Sequence, residues 1–178
     1  MSTKRAVFFD RDGVLNQAIV RDGRPCAPVV LEEFILLPEA AEAVAQVRQA
    51  GFLAVVVTNQ PEIARGQLSW ETLNRMHQRL RDSLAVDALY ICPHDESQGC
   101  GCHKPRPGLL WEAARVWNLD LSSSFLIGDR WRDIDAGRAV GCYTILVERP
   151  YSGAVEADSR ASDVYAAVQQ VLAVAKGH

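Results

Sequence analysis

Asp10 and Asp12 stand one residue apart at the end of a short apolar run, Ala6 to Phe9, and Gly13 closes the segment. The run reads as a buried strand, so Asp10 falls where the strand stops and the chain turns. Carboxylates that close repel one another unless a cation or a shared proton compensates. The junction is therefore a candidate metal or catalytic site, although Asp and Gly are also ordinary turn residues. A second chemical segment is Cys92-Pro93-His94 with Cys100-Gly101-Cys102. Its three thiols and one imidazole form a Cys₃His set, which suits structural Zn²⁺ held tetrahedrally with no position left open for water. Free or disulfide-paired cysteines are the other reading. The odd total of five, with Cys26 and Cys142 far away in sequence, favours metal in a reducing compartment.

The elements that must position these groups follow from the apolar pattern. Phe52 to Val57 is a continuous apolar run, as in a strand buried on both faces of a parallel sheet, and Thr58 and Asn59 follow it. Ala88–Ile91 leads into the Cys/His segment, Phe125–Ile127 ends in Gly128-Asp129, and Tyr143–Val147 is a further strand. Between them, helices are expected over 38–50, from a Ser69 cap onward, from Pro107 onward, and around Asp133 and Asp135 up to Gly141. Residues 16–38 read as a long irregular loop able to close over a ligand, and 148–161 as loop; Ser162 then opens a last helix. Alternating strands and helices give an α/β domain with a mostly parallel sheet, spanning residues 1–178 as one unit. Ligands bind such sheets at the carboxyl ends of the strands. Asp10, Thr58, the 92–104 segment and Asp129 all fall on that rim.

Composition narrows the partners. A net charge of −3 offers no basic patch for nucleic acid. No apolar run approaches the roughly 20 residues of a membrane span. Residues 1–5 carry no apolar signal region, so a cytoplasmic location is expected. A monomer is expected as well.

Asp10 and Asp129, with a main-chain carbonyl near Asp12, suit a hard cation such as Mg²⁺, which commonly bridges carboxylates to a substrate phosphate. Thr58, Lys104 and turn amides suit phosphoryl oxygens. Asp10 could then attack phosphorus while Asp12 moves the proton.

Phe9-Asp10-Arg11-Asp12-Gly13, Val57-Thr58-Asn59, Lys104-Pro105 and Gly128-Asp129 with Asp133 resemble the four ordered motifs of the haloacid dehalogenase superfamily of phosphatases. The resemblance implies a three-layer Rossmann-like fold, here without a large cap domain and with a zinc-binding loop. It also implies Asp10 as nucleophile, Asp12 as general acid/base, and Mg²⁺ on Asp10, Asp129 and the Asp12 main chain. Arg11, Thr58, Asn59, His103, Lys104 and Arg130 are then the expected contacts to the phosphoryl group and substrate, with Asp133 supporting the metal. Cys92, His94, Cys100 and Cys102 are the expected zinc ligands. Within the superfamily the zinc loop resembles the branch of heptose-bisphosphate and histidinol-phosphate phosphatases, implying a small phosphorylated sugar as substrate. Where that branch usually carries Arg before the motif lysine, this chain has His103, whose charge near neutral pH could matter to substrate choice. Arg106 is a further candidate for a second phosphate.

Overall fold

Strand β1 (Ala6–Phe9) is buried along its whole length, because it lies in the middle of a sheet covered on both faces. In the computed structural model, which describes residues 3–176, β1 is followed by an antiparallel hairpin of β2 (Ile19–Arg21) and β3 (Arg24–Cys26), then by helix α1 (Ala40–Gln49). The chain continues through β4 (Leu53–Asn59), α2 (Trp70–Ser83), β5 (Ala88–Cys92) and α3 (Gly108–Trp117). It finishes with β6 (Phe125–Gly128), α4 (Trp131–Ala139), β7 (Tyr143–Val147), β8 (Ser159–Ala161) and α5 (Val164–Lys176). The main sheet is parallel throughout, in the order β5-β4-β1-β6-β7-β8.

Successive residues of a strand face opposite sides, and β1 uses both. Val7 and Phe9 pack with residues of α1, α2 and α5, while Ala6 and Phe8 pack with residues of α3 and α4. The result is the expected three-layer α/β architecture, with no large cap domain among the described residues. Chain order reverses between β1 and β6, which is the switch point where such sheets open a crevice. The carboxyl ends of β1 and β6 carry Asp10 and Asp129, so the two aspartates arrive side by side. No helix among the described residues is long and apolar enough to cross a membrane.

The structure differs from the sequence expectation in three local places. The 16–38 stretch is not wholly irregular: Asp22 and Gly23 both take positive φ, 50° and 72°, and turn the β2–β3 hairpin. Its strands are only three residues long and mostly solvent-facing, so they lack the apolar alternation that betrays a strand. Likewise β8, a short edge strand, lies within the stretch expected as loop. The last helix is capped by Asp163 rather than Ser162, since Asp163 Oδ1 accepts from Ala166 N at 2.7 Å.

Candidate active site

The turn after β1 is closed by its own backbone: Leu15 N donates to Arg11 O at 2.9 Å, and Gly13 N donates to Asn16 O at 2.8 Å. Gly13 has φ 86°, and a Cβ there would stand 2.1 Å from Asp129 Oδ2 and 2.5 Å from the Tyr151 hydroxyl. Only glycine allows the turn to pass so close to Asp129.

Lys104 enters from the loop beyond β5 and reaches under the rim. Its Nζ donates to Asp10 Oδ1 at 2.7 Å, Asp133 Oδ1 at 2.6 Å and Val57 O at 2.9 Å, which uses all its donors. Burial works against the ammonium charge, but Asp10 and Asp133 outweigh it and hold the lysine charged. Asp133 also accepts from Arg130 N at 3.1 Å, capping the start of α4. One side chain thus braces both Lys104 and the start of α4.

Asp10, Asp129 and Asp133 place carboxylate oxygens within 4.8 Å of one another. Burial, and then the Asp133 carboxylate, raise the Asp10 pKa to about 6, with Lys104 opposing. Asp129 is raised well above the usual carboxylate range by burial and by Asp10 and Asp133. Its Oδ1 is buried without a hydrogen-bond partner, while Oδ2 accepts from the Tyr151 hydroxyl at 2.6 Å. A buried, unpaired carboxylate oxygen among like charges is suited to a hard divalent cation. Both Asp133 oxygens are already engaged, which leaves Asp10 and Asp129 as the better side-chain ligands.

The Asp12 carboxylate accepts from Arg11 Nη2 at 2.8 Å, Asn16 Nδ2 at 2.9 Å and Gln60 Nε2 at 2.8 Å. Gln60 Nε2 also reaches Thr58 Oγ1 at 2.9 Å, tying the end of β4 to the β1 turn. The Arg11 side chain is fully buried behind Asp12, and it donates to His77 Nε2 at 2.9 Å. Burial and the neighbouring guanidinium push His77 down to about 3, so it stays neutral and can accept that bond. Asn59 also works through the backbone: its amide bonds Lys104 N at 3.0 Å and Lys104 O at 3.2 Å, fixing the lysine segment against β4.

A cavity of about 370 Å³ opens above these groups. Asp12, Asn59, His103, Asp129 and Arg130 line it, whereas Asp10, Thr58 and Lys104 lie buried beneath. Pro25, Cys26 and Ala27, at the end of the hairpin and just beyond, form one wall. Arg65 also lines it, as do Arg132 and Tyr151, which sequence reading did not single out. His103 lies between the Cys/His loop and α4. Its Nδ1 donates to His94 O at 2.9 Å and its Nε2 accepts from Arg132 Nη1 at 3.1 Å, while burial and Arg132 lower its pKa. Arg106 lies off the cavity and donates to Cys100 O at 2.7 Å, bracing the Cys/His loop.

Cys92, His94, Cys100 and Cys102 converge beside the cavity. Neighbouring donor atoms stand 2.9 Å (Cys92–Cys102), 3.3 Å (His94–Cys102), 3.5 Å (Cys92–Cys100 and Cys100–Cys102) and 3.6 Å (Cys92–His94) apart. Usual Zn–S and Zn–N bonds give tetrahedron edges of about 3.6–3.8 Å, so the donors need move little to hold that ion. The three sulfurs are too far apart for covalent pairing, and the cysteines are free.

A family model for HAD-hydrolase-like proteins matches residues 101–172. The chain is 38% identical over 149 residues to D-glycero-β-D-manno-heptose-1,7-bisphosphate 7-phosphatase of Bordetella bronchiseptica, covering 81% of this chain and 80% of that protein. The chain belongs to the haloacid dehalogenase superfamily of phosphatases. The enzyme of the same name from Pseudomonas aeruginosa is 38% identical over 151 residues, with 82% of each chain covered. Among solved structures, the B. bronchiseptica D,D-heptose 1,7-bisphosphate phosphatase complexed with magnesium and phosphate superposes with a TM-score of 0.84. That match is 34% identical and covers 96% of this chain and 99% of the other. This superfamily member is thus similar, over nearly its whole length, to a phosphatase that carries magnesium.

Proposed function

We propose that this phosphatase removes the 7-phosphate of D-glycero-D-manno-heptose 1,7-bisphosphate, on the route to lipopolysaccharide core or nucleotide-activated heptose. The observation that carries the reading is the gathering of Asp10, Asp12, Asp129 and Lys104 at one rim, in a chain similar throughout to enzymes of that name. A carboxylate oxygen of Asp10 attacks phosphorus and the bond from phosphorus to the sugar O7 breaks, giving an aspartyl-phosphate. Asp12 gives its proton to O7, then takes one from the water that attacks phosphorus and releases Asp10 and inorganic phosphate. Asp12 now sits as an acceptor for Arg11, Asn16 and Gln60, so delivering a proton requires it to turn from Arg11 toward the cavity it already lines.

Asp10, Asp129 and the Asp12 main chain would hold Mg²⁺, which supplies charge to offset the phosphoryl oxygens and the crowded carboxylates. Thr58 meets the phosphoryl group from below, while Lys104, its donors committed to Asp10, Asp133 and Val57 O, offsets the charge of Asp10 beneath it. The Cys₃His cluster would hold Zn²⁺ in a closed site whose work is to fix the loop carrying His103 and Lys104. Arg65, Arg130 and Arg132 give the sugar's second phosphate cationic partners across the cavity. Phosphate release from the heptose bisphosphate, histidinol phosphate and simple sugar phosphates tests the reading. A higher kcat/KM for the bisphosphate is expected, and a strong preference for histidinol phosphate would overturn it.

A further inference from the structure

The segment following β7 touches the site at three points. Arg149 Nε donates to Gly13 O at 2.9 Å, so the segment is tied to the turn after β1. Ser152 Oγ donates to the main-chain carbonyl of Asp129 at 2.6 Å. The Tyr151 hydroxyl donates to Asp129 Oδ2 at 2.6 Å. The segment is itself braced, because Arg149 N donates to Ser152 Oγ and Ser152 N donates to Arg149 O, both at 2.9 Å. It therefore acts as a rigid bracket across the ends of β1 and β6, not as a loose loop lying on them.

Geometry gives the bracket a consequence. A carboxylate has two oxygens, and the tyrosine bond commits one of them. With Oδ2 held, the remaining oxygen, Oδ1, is buried without a hydrogen-bond partner, on a carboxylate that belongs to the buried acidic cluster. Gly13 leaves only enough room for this arrangement, since a Cβ there would strike both Asp129 Oδ2 and the Tyr151 hydroxyl.

We infer that Tyr151 is a positioning residue that locks the Asp129 carboxylate with Oδ1 presented to the catalytic divalent cation. The inference rests on Asp129 being a magnesium ligand, as proposed above. It adds a partner behind the ligand that neither the four motifs nor the zinc loop contains. Groups in that position typically alter metal affinity about 10–100-fold when removed.

Tyr151→Phe removes only the hydroxyl. Full-length Mg²⁺-free protein is titrated with Mg²⁺ while its melting temperature is followed, for the wild type, Tyr151→Phe and Asp129→Asn. The expected result is a roughly tenfold higher apparent Kd for Tyr151→Phe, which still melts cooperatively when Mg²⁺ is absent. Its kcat recovers at proportionally higher Mg²⁺. Asp129→Asn loses the Mg²⁺ response. An unchanged Kd in Tyr151→Phe, with Asp129→Asn still unresponsive, overturns the role of Tyr151 alone. A normal Mg²⁺ response in Asp129→Asn instead overturns the metal assignment beneath it. Activity lost in Tyr151→Phe that no concentration of Mg²⁺ restores also contradicts positioning of the metal ligand.

Discussion

The Lys104 ammonium lies 2.7 Å from Asp10 Oδ1, and both side chains are buried. The distance joins residues 94 apart in sequence, and it balances the charge of the aspartate proposed to attack phosphorus. Lys104→Met should leave Asp10 and Asp133 facing each other without a cation. We expect kcat to fall by about 100-fold or more, because the proposed nucleophile loses the fixed cation that orients it and offsets its charge. Stability should fall by about 3 kcal/mol at neutral pH and by less at pH 5, where the carboxyls can take up protons. Denaturant unfolding at the two pH values checks this; an equal loss at both would mean that charge is not the cause.

The pH dependence of the Mg²⁺-free protein follows from Asp10. Its folded pKa of about 6 lies above the unfolded value of 3.8. Between those values the native state binds more protons, so this group's contribution is fully present below the unfolded pKa and is lost as pH rises through about 6. Asp129 is shifted the same way. Mg²⁺ competes with those protons, so it should raise the melting temperature more at pH 7 than at pH 5. The same increment at both pH values would remove Asp10 and Asp129 as its ligands.

Gly13→Ala tests the close approach of the β1 turn to Asp129. The substitution combines a φ of 86° with contacts of 2.1 and 2.5 Å. We expect a loss of about 2 kcal/mol or more from the backbone conformation and the contacts together, and weaker Mg²⁺ binding as Asp129 is displaced. Wild-type unfolding and Mg²⁺ affinity in this variant would show that the turn has more room than its geometry indicates.

Cys100→Ser should release Zn²⁺, lower the melting temperature and reduce activity, because the same loop carries His103 and Lys104. Metal analysis of the purified variant beside the wild type decides it. A wild type that holds no zinc, or a variant that keeps it, contradicts the Cys₃His assignment.

The positions of Asp10, Thr58, Lys104 and Asp129 were legible in the sequence because a buried parallel strand announces itself as an apolar run, and its carboxyl end is where chemistry gathers. The Cys₃His loop was legible from ligand type and spacing. Side-chain direction was not. Arg11 neighbours both aspartates in sequence, yet it turns inward to His77, a residue that helix periodicity marks only as one more buried position of α2. Gln60, Arg132 and Tyr151 gained their places through partners 48, 29 and 22 residues away, which no local pattern encodes. The β2–β3 hairpin carried an Asp22-Gly23 turn signal, but its short exposed strands gave no alternation to accompany it.

The most direct test is ³¹P NMR of D-glycero-D-manno-heptose 1,7-bisphosphate incubated with the protein and Mg²⁺, with Asp10→Asn in parallel. The account predicts that the C7 phosphate signal disappears, inorganic phosphate appears in equal amount and the C1 phosphate signal persists. Asp10→Asn, still folded, should leave both signals intact. Loss of the C1 phosphate first, no release at all, or turnover by Asp10→Asn would contradict it.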